Sequence, residues 1–137
     1  MNDITETQAT LLLVDDEASI LSSLRRLLRP AGYTIHMAES GAAGLDILER
    51  EPVDLVVSDM RMPEMNGAQF LEQVRKRWPD TMRILLTGYA DVGSTIEAIN
   101  RGEIYRYISK PWDDNQLVLT IRDALESSRL RNENIRL

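Results

Sequence analysis

Cysteine is absent from this 137-residue chain, and histidine occurs once, at His36. The first absence removes disulfides, thiolate metal centres and cysteine nucleophiles; the second removes a polyhistidine metal cage. No apolar run approaches the roughly 20 residues that a membrane-spanning helix needs. The first ten residues are polar and acidic, unlike a signal or transit peptide, so a cytoplasmic location is expected by default. An excess of positive charge is also missing. The net charge of −6 argues against direct nucleic-acid binding, which needs clustered Lys and Arg.

What remains is ordinary in bulk, with 43% hydrophobic and 28% charged residues in a length that suits one domain with a sizeable core. There is no long repeat and no low-complexity stretch. Five short apolar runs alternate with five segments of helical period, which predicts an α/β fold: a parallel sheet covered by helices, (βα)5. The runs are Leu11–Val14, Tyr33–Met37, Val53–Val57, Met82–Leu86 and Ile104–Ile108. The first, third and fourth are almost continuously apolar, as strands buried on both faces are.

Ile20, Leu24, Leu27 and Leu28 mark a first helix stopped by Pro30, and Ser40 opens a second carrying Leu45 and Leu48. Phe70, Leu71, Val74 and Trp78 mark a third, ended by Pro79. A fourth carries Val92, Ile96 and Ile99 between an Asp91 cap and a Gly102 stop. The fifth carries Leu117, Val118, Ile121, Ala124 and Leu125. The expected organisation is a disordered segment over 1–9, a folded domain over 10–127 and a charged helical extension over 128–137. The extension is either a frayed tail or the start of a linker to an output domain beyond Leu137.

The polar residues gain meaning against this strand map. Asp15 and Asp16 follow the first strand and Asp59 the third; Thr87 ends the fourth and Lys110 lies just past the fifth. Open α/β sheets bind ligands outside the carboxyl ends of their strands, where strand order reverses. In a doubly wound five-stranded sheet of order 2-1-3-4-5, that crevice lies between the first and third strands. Three carboxylates gathered there would repel unless a cation neutralised them. All-oxygen ligands select a hard ion, Mg²⁺ above all, or Mn²⁺. A neighbouring lysine suits a phosphoryl group, and Thr87 adds a hydroxyl. Phosphoryl transfer rests on positioning and charge, so the lack of a histidine base there is no obstacle.

These residues, in this order, resemble the response-regulator receiver family of two-component systems. The resemblance runs from about Thr10 to Ser127. It rests on the acidic pair in LLLVDDE, Asp59 in VVSDMRMPEMNG, Thr87 in ILLTGYAD, and Lys110 with Pro111 in YRYISKPW. It implies that Asp59 takes a phosphoryl group from a phosphohistidine of a sensor histidine kinase or phosphotransfer protein. It further implies Mg²⁺ on Asp16 directly, on Asp15 mainly through water, on Asp59 and on the backbone carbonyl of Arg61. Lys110 would pair with the phosphoryl oxygens before a cis bond to Pro111. Gly88 would leave the phosphoryl site open, and Arg61 and Tyr89 would border it. Thr87 and Tyr107 would move together as the switch, reshaping a face of the fourth helix, fifth strand and fifth helix used for dimerisation or partner binding. The stretch AINRGEIYRYISKPWDD looks like receivers attached to HD-type cyclic-dinucleotide phosphodiesterases or to enhancer-binding transcriptional activators.

Each residue also has a plainer reading. Asp15 and Asp16 could cap the first helix, Asp59 could be a turn residue before Pro63, Lys110 could be solvated and Thr87 could terminate a strand. Tyr107, Trp78 and Trp112 could simply pack, and His36 reads as structural. Three other functions compete. A haloacid-dehalogenase-like phosphatase would need an aspartate where Arg61 stands. A flavodoxin-like cofactor binder would need an anion-cradling loop where the chain has Asp15, Asp16 and Glu17. A receiver used only for docking, without phosphorylation, would not need the full set.

Overall fold

The computed structural model describes residues 9–88, 96, 98–101 and 103–136, of which 131–136 are described as helical backbone alone. The strands are β1 (Thr10–Val14), β2 (Thr34–Ala38), β3 (Leu55–Asp59), β4 (Met82–Thr87) and β5 (Arg106–Ser109). Between them lie α1 (Ala18–Leu28), α2 (Gly41–Arg50), α3 (Gly67–Arg77) and a segment α4, whose described helical residues are 96 and 98–101. The helix α5 (Asp114–Arg136) closes the series. The sheet is wholly parallel, in the order β2-β1-β3-β4-β5, and the five helices make this the expected doubly wound α/β fold.

Alternation along each strand divides the core into two layers, since successive side chains point to opposite faces. Leu12, Val14, Val56 and Leu85 meet Phe70, Leu71 and Val74 of α3 and Leu48 of α2. Leu11, Leu13, Leu55, Val57, Ile84 and Leu86 meet Leu21, Leu24 and Leu28 of α1 and Leu117, Ile121 and Ala124 of α5. The middle strands β1, β3 and β4 are apolar in sequence because both of their faces are covered.

Several boundaries differ from the sequence reading, for one physical reason. β3 begins at Leu55 rather than Val53, β5 at Arg106 rather than Ile104, and β2 at Thr34 rather than Tyr33. Val53, Ile104 and Tyr33 are apolar because they pack onto the two core layers from outside the ladder. Register instead sets the strands: Leu55 pairs with Leu11 and Met82, and Arg106 with Ile84. Asp59 is therefore the last residue of β3 rather than the one after it.

The helix ends show similar detail. Ser40 caps α2, its Oγ accepting the Ala43 amide at 3.1 Å. At α1 the N-cap is Glu17, and neither aspartate holds that position. Pro30 does not simply stop α1, which ends at Leu28; it sits inside a 3₁₀ turn, Arg29–Ala31, closed by Gly32 at φ 87°. Trp78 caps the end of α3 and packs on the core beneath the Arg77 guanidinium. Trp112 packs on the other layer, and His36 lies half-buried on the edge strand β2. The Ala9 carbonyl, expected to fall in a disordered segment, accepts the Thr34 amide at 3.0 Å. The sequence expectations at Tyr89, Asp91, Val92, Gly102, Leu137 and residues 1–8 lie outside the described residues. Among those described, no helix is long and apolar enough to cross a membrane.

Candidate functional site

Three strand ends build the site. β1 delivers Asp15 and Asp16, β3 delivers Asp59, and the ladder between β4 and β5 runs one step further to deliver Lys110, whose amide donates to the Thr87 carbonyl at 2.7 Å. One carboxylate oxygen from each of Asp15, Asp16 and Asp59 lies within 4.8 Å of the other two. Lys110 Nζ stands 2.8 Å from Asp59 Oδ1 and 3.4 Å from Asp15 Oδ2. Asp15 is fully buried, Asp59 is 6% exposed, and Asp16 faces solvent.

The backbone keeps these groups in place. Asp15 Oδ1 accepts the Glu17 amide at 2.9 Å, which fixes one carboxylate oxygen and leaves the other toward Lys110. Behind Asp59, the Ser58 hydroxyl donates to the Asp59 carbonyl, and the Met60 amide donates to the Leu86 carbonyl. The chain then passes so close to α3 that a β-carbon at Gly67 would stand 2.4 Å from the Asp59 carbonyl oxygen. Only glycine fits there.

Burial dominates the electrostatics of the two buried carboxylates. It raises the Asp59 carboxyl above the usual carboxylate range, against the opposing pull of Lys110 and the Met60 amide. Burial likewise raises Asp15, opposed by the Glu17 amide and reinforced by the Asp59 charge. For Lys110, burial works against the ammonium, but the Asp59 and Asp15 carboxylates outweigh it and lift its pKa above the ordinary lysine value. Two buried carboxylates thus share one ammonium, and charge of one sign remains in excess. A donor set of carboxylate oxygens alone, gathered this closely, fits a hard divalent cation.

The other residues singled out in the sequence fall around this cluster. Thr87 ends β4, 4% exposed, with its Oγ1 3.5 Å from the Gly88 carbonyl oxygen. In register, Leu86 pairs with Asp59, so Thr87 lies one step beyond the end of β3. The bond from Lys110 to Pro111 is cis. Arg61 is exposed on the loop leaving Asp59, and Tyr107 lies on β5, 52% exposed. The close approach at Gly67 and the Asn66 cap of α3 went unnoticed in the sequence. Their signals were present: Asn-Gly marks a tight turn, and Asn66 three residues before Gln69 is a capping-box spacing.

Residues 11–122 match the family model described as the response regulator receiver domain. The chain belongs to that family. Receivers of this kind are signalling modules of two-component regulators, and the acidic pocket here is consistent with their phosphoacceptor site. The receiver is 38% identical, over 98% of its length, to the hydrogenase transcriptional regulatory protein HoxA of Cupriavidus necator. It is 42% identical, over 88% of its length, to the transcriptional regulatory protein GlrR of Escherichia coli K12. It spans just over a quarter of each of those regulators, 28% and 27%. Among solved structures, the signal receiver domain of an HD domain-containing protein from Pseudomonas fluorescens Pf-5 superposes with a TM-score of 0.86 at 45% identity. That match covers 89% of this receiver and 98% of the other chain.

Proposed function

We propose that this receiver is the phosphoacceptor switch of a two-component phosphorelay and that Asp59 carries the phosphoryl group. The observation that carries the reading is the Lys110 ammonium, 2.8 Å from Asp59 within a cluster of three carboxylates. Asp15, Asp16 and Asp59, with the backbone carbonyl of Arg61, would hold Mg²⁺ or Mn²⁺, which when bound supplies positive charge to offset the carboxylates and the incoming phosphoryl oxygens.

The chain's own groups do the rest. An Asp59 carboxylate oxygen attacks the phosphorus of a phosphohistidine on a sensor kinase or phosphotransfer protein. The P–N bond breaks, and its electron pair returns to the imidazole nitrogen, which takes up a proton from solvent. Lys110 passes from the Asp59 carboxylate to the phosphoryl oxygens, offsetting the new charge. Thr87 donates its hydroxyl to the same group, with Gly88 beside it keeping the approach open. Tyr107 follows Thr87, and the face of α4, β5 and α5 changes its fit to an output domain beyond Leu137 or to a second copy of the receiver. The relatives supply two classes of output, transcriptional regulators and an HD domain-containing protein. A kinase partner of this type places the receiver in the cytoplasm. Residues 10–127 would form the folded module, with α5 running on to Arg136 as its outgoing helix. Turnover of external substrates is disfavoured because Arg61, not an acid, stands two positions after Asp59.

Intact-mass spectrometry after incubation with acetyl phosphate and Mg²⁺ tests this reading. Wild type should gain one phosphoryl group and Asp59→Asn none; equal labelling of the two would remove Asp59 from the role.

A further inference from the structure

The loop leaving Asp59 holds Met60, Met62 and Met65. Met60 and Met62 are buried in the core layer beneath α2 and α3, whereas Met65 is half-buried against it. Met65 also has a special seat. A β-carbon at Gly41, the first residue of α2, would stand 2.7 Å from Met65 Sδ, so the thioether fills the space that a side chain at position 41 would need.

The same loop is bent against its preference. Glu64 adopts φ 71°, which L-residues rarely take, and the Met65 amide closes a tight turn onto the Pro63 carbonyl at 2.7 Å. One anchor of the turn is the Gly67 amide on the Met60 carbonyl at 2.8 Å. The other is the Met65 sulfur against Gly41. A strained turn persists only while its surroundings over-determine it, so removing either anchor lets it relax. Between the anchors lies Arg61.

We propose that Met65 is an oxidation site through which a hydroperoxide loosens this loop and slows phosphorylation of the receiver. The slowing rests on the proposed role of Asp59; the loosening does not. In the step, a sulfur lone pair attacks one peroxide oxygen, an S–O bond forms and the O–O bond breaks. The departing oxygen takes up the proton released from the oxygen now on sulfur and leaves as water (as an alcohol from an organic hydroperoxide), sulfur is oxidised by two electrons and the peroxide is reduced. The sulfoxide is polar and larger than the thioether, and it loses its apolar fit against Gly41. Met65 withdraws, the turn at Glu64 opens and the stretch 60–67 that leaves Asp59, Arg61 included, loses its fixed course.

Met37, 38% exposed on the edge strand β2, is an internal control, because it can oxidise without touching the loop. The full chain, Met65→Leu and Met37→Leu are treated with hydrogen peroxide, and peptide mapping locates the sulfoxides. Amide exchange over residues 60–67 and the rate of labelling by acetyl phosphate are compared before and after treatment within each variant. In wild type and Met37→Leu, exchange at Met65 and Gly67 should rise, and labelling should fall, by about tenfold. In Met65→Leu both ratios should stay near one. Gly41→Ala, which displaces the sulfur without oxidant, should raise the same exchange. Overturning results are a Met65 that stays reduced while Met37 oxidises fully, unchanged exchange once Met65 is a sulfoxide, or an equal response in Met65→Leu. An untreated chain that takes no label would refute the role of Asp59, and the exchange measurement would still decide that of Met65.

Discussion

Asp59 and Asp15 hold a proton more tightly in the folded protein than in the unfolded chain, which turns the site into a source of pH-dependent stability. Burial raises both carboxyls above their unfolded values even with Lys110 alongside. A group whose folded pKa is raised contributes stability that is fully present below the unfolded value and lost as pH rises through the folded one. In metal-free protein, these two aspartates therefore favour the folded state least at neutral pH. Glu72 has the opposite sign: its hydrogen bond from Arg101 lowers its pKa, so its contribution is lost on acidification. Asparagine resembles protonated aspartate in shape and charge. Urea unfolding of metal-free Asp59→Asn and wild type should give similar stabilities at acidic pH. The curves should then diverge in favour of the variant as pH rises from the ordinary carboxylate range toward neutrality. Parallel curves would mean that Lys110 compensates the Asp59 charge in full.

At the level of elements, legibility followed how many forces acted on a residue. β1, β3 and β4 were readable because covering both faces leaves mostly apolar side chains, and Asp15, Asp59 and Thr87 were conspicuous as polar residues at the ends of such runs. The starts of β2, β3 and β5 were not readable, since Tyr33, Val53 and Ile104 are buried by packing that hydrophobicity alone cannot distinguish from strand pairing. The contact of Met65 with Gly41 joins segments far apart in the chain, so no local pattern encodes it. The start of α3 is intermediate. Its capping box is local, the Asn66 side chain accepting the Gln69 amide and the Gln69 side chain accepting the Asn66 amide, each at 2.9 Å. Asn66→Ala removes the first of these and should cost about 1 kcal/mol in urea unfolding. Gln69→Ala should cost less, because the Asn66 cap remains. Equal losses would mean that the two bonds act as one unit.

Across the whole molecule, two apolar layers hold the sheet from both sides, and the cost of the design is concentrated at one edge. β1, β3 and β5 cannot pair in the order β2-β1-β3-β4-β5 without bringing Asp15, Asp16, Asp59 and Lys110 to the same place. Stability of the body and acidity of the site are therefore coupled through topology. A cation that binds only when all three carboxylates are assembled stabilises the folded state by mass action, by about 2.7 kcal/mol at a hundredfold excess over its dissociation constant. Unfolding of wild type at neutral pH should shift to higher urea as Mg²⁺ is added, with an unchanged slope. Asp16→Ala should lose most of that shift. Its own metal-free stability should change little, because Asp16 is exposed while Asp15 and Asp59 are buried. Ca²⁺ should shift wild type less, since a cluster of three carboxylates supplies few of the six to eight oxygens it prefers. An Mg²⁺ shift of equal size in wild type and Asp16→Ala would place the ion elsewhere on this acidic surface and detach the metal from the aspartate cluster.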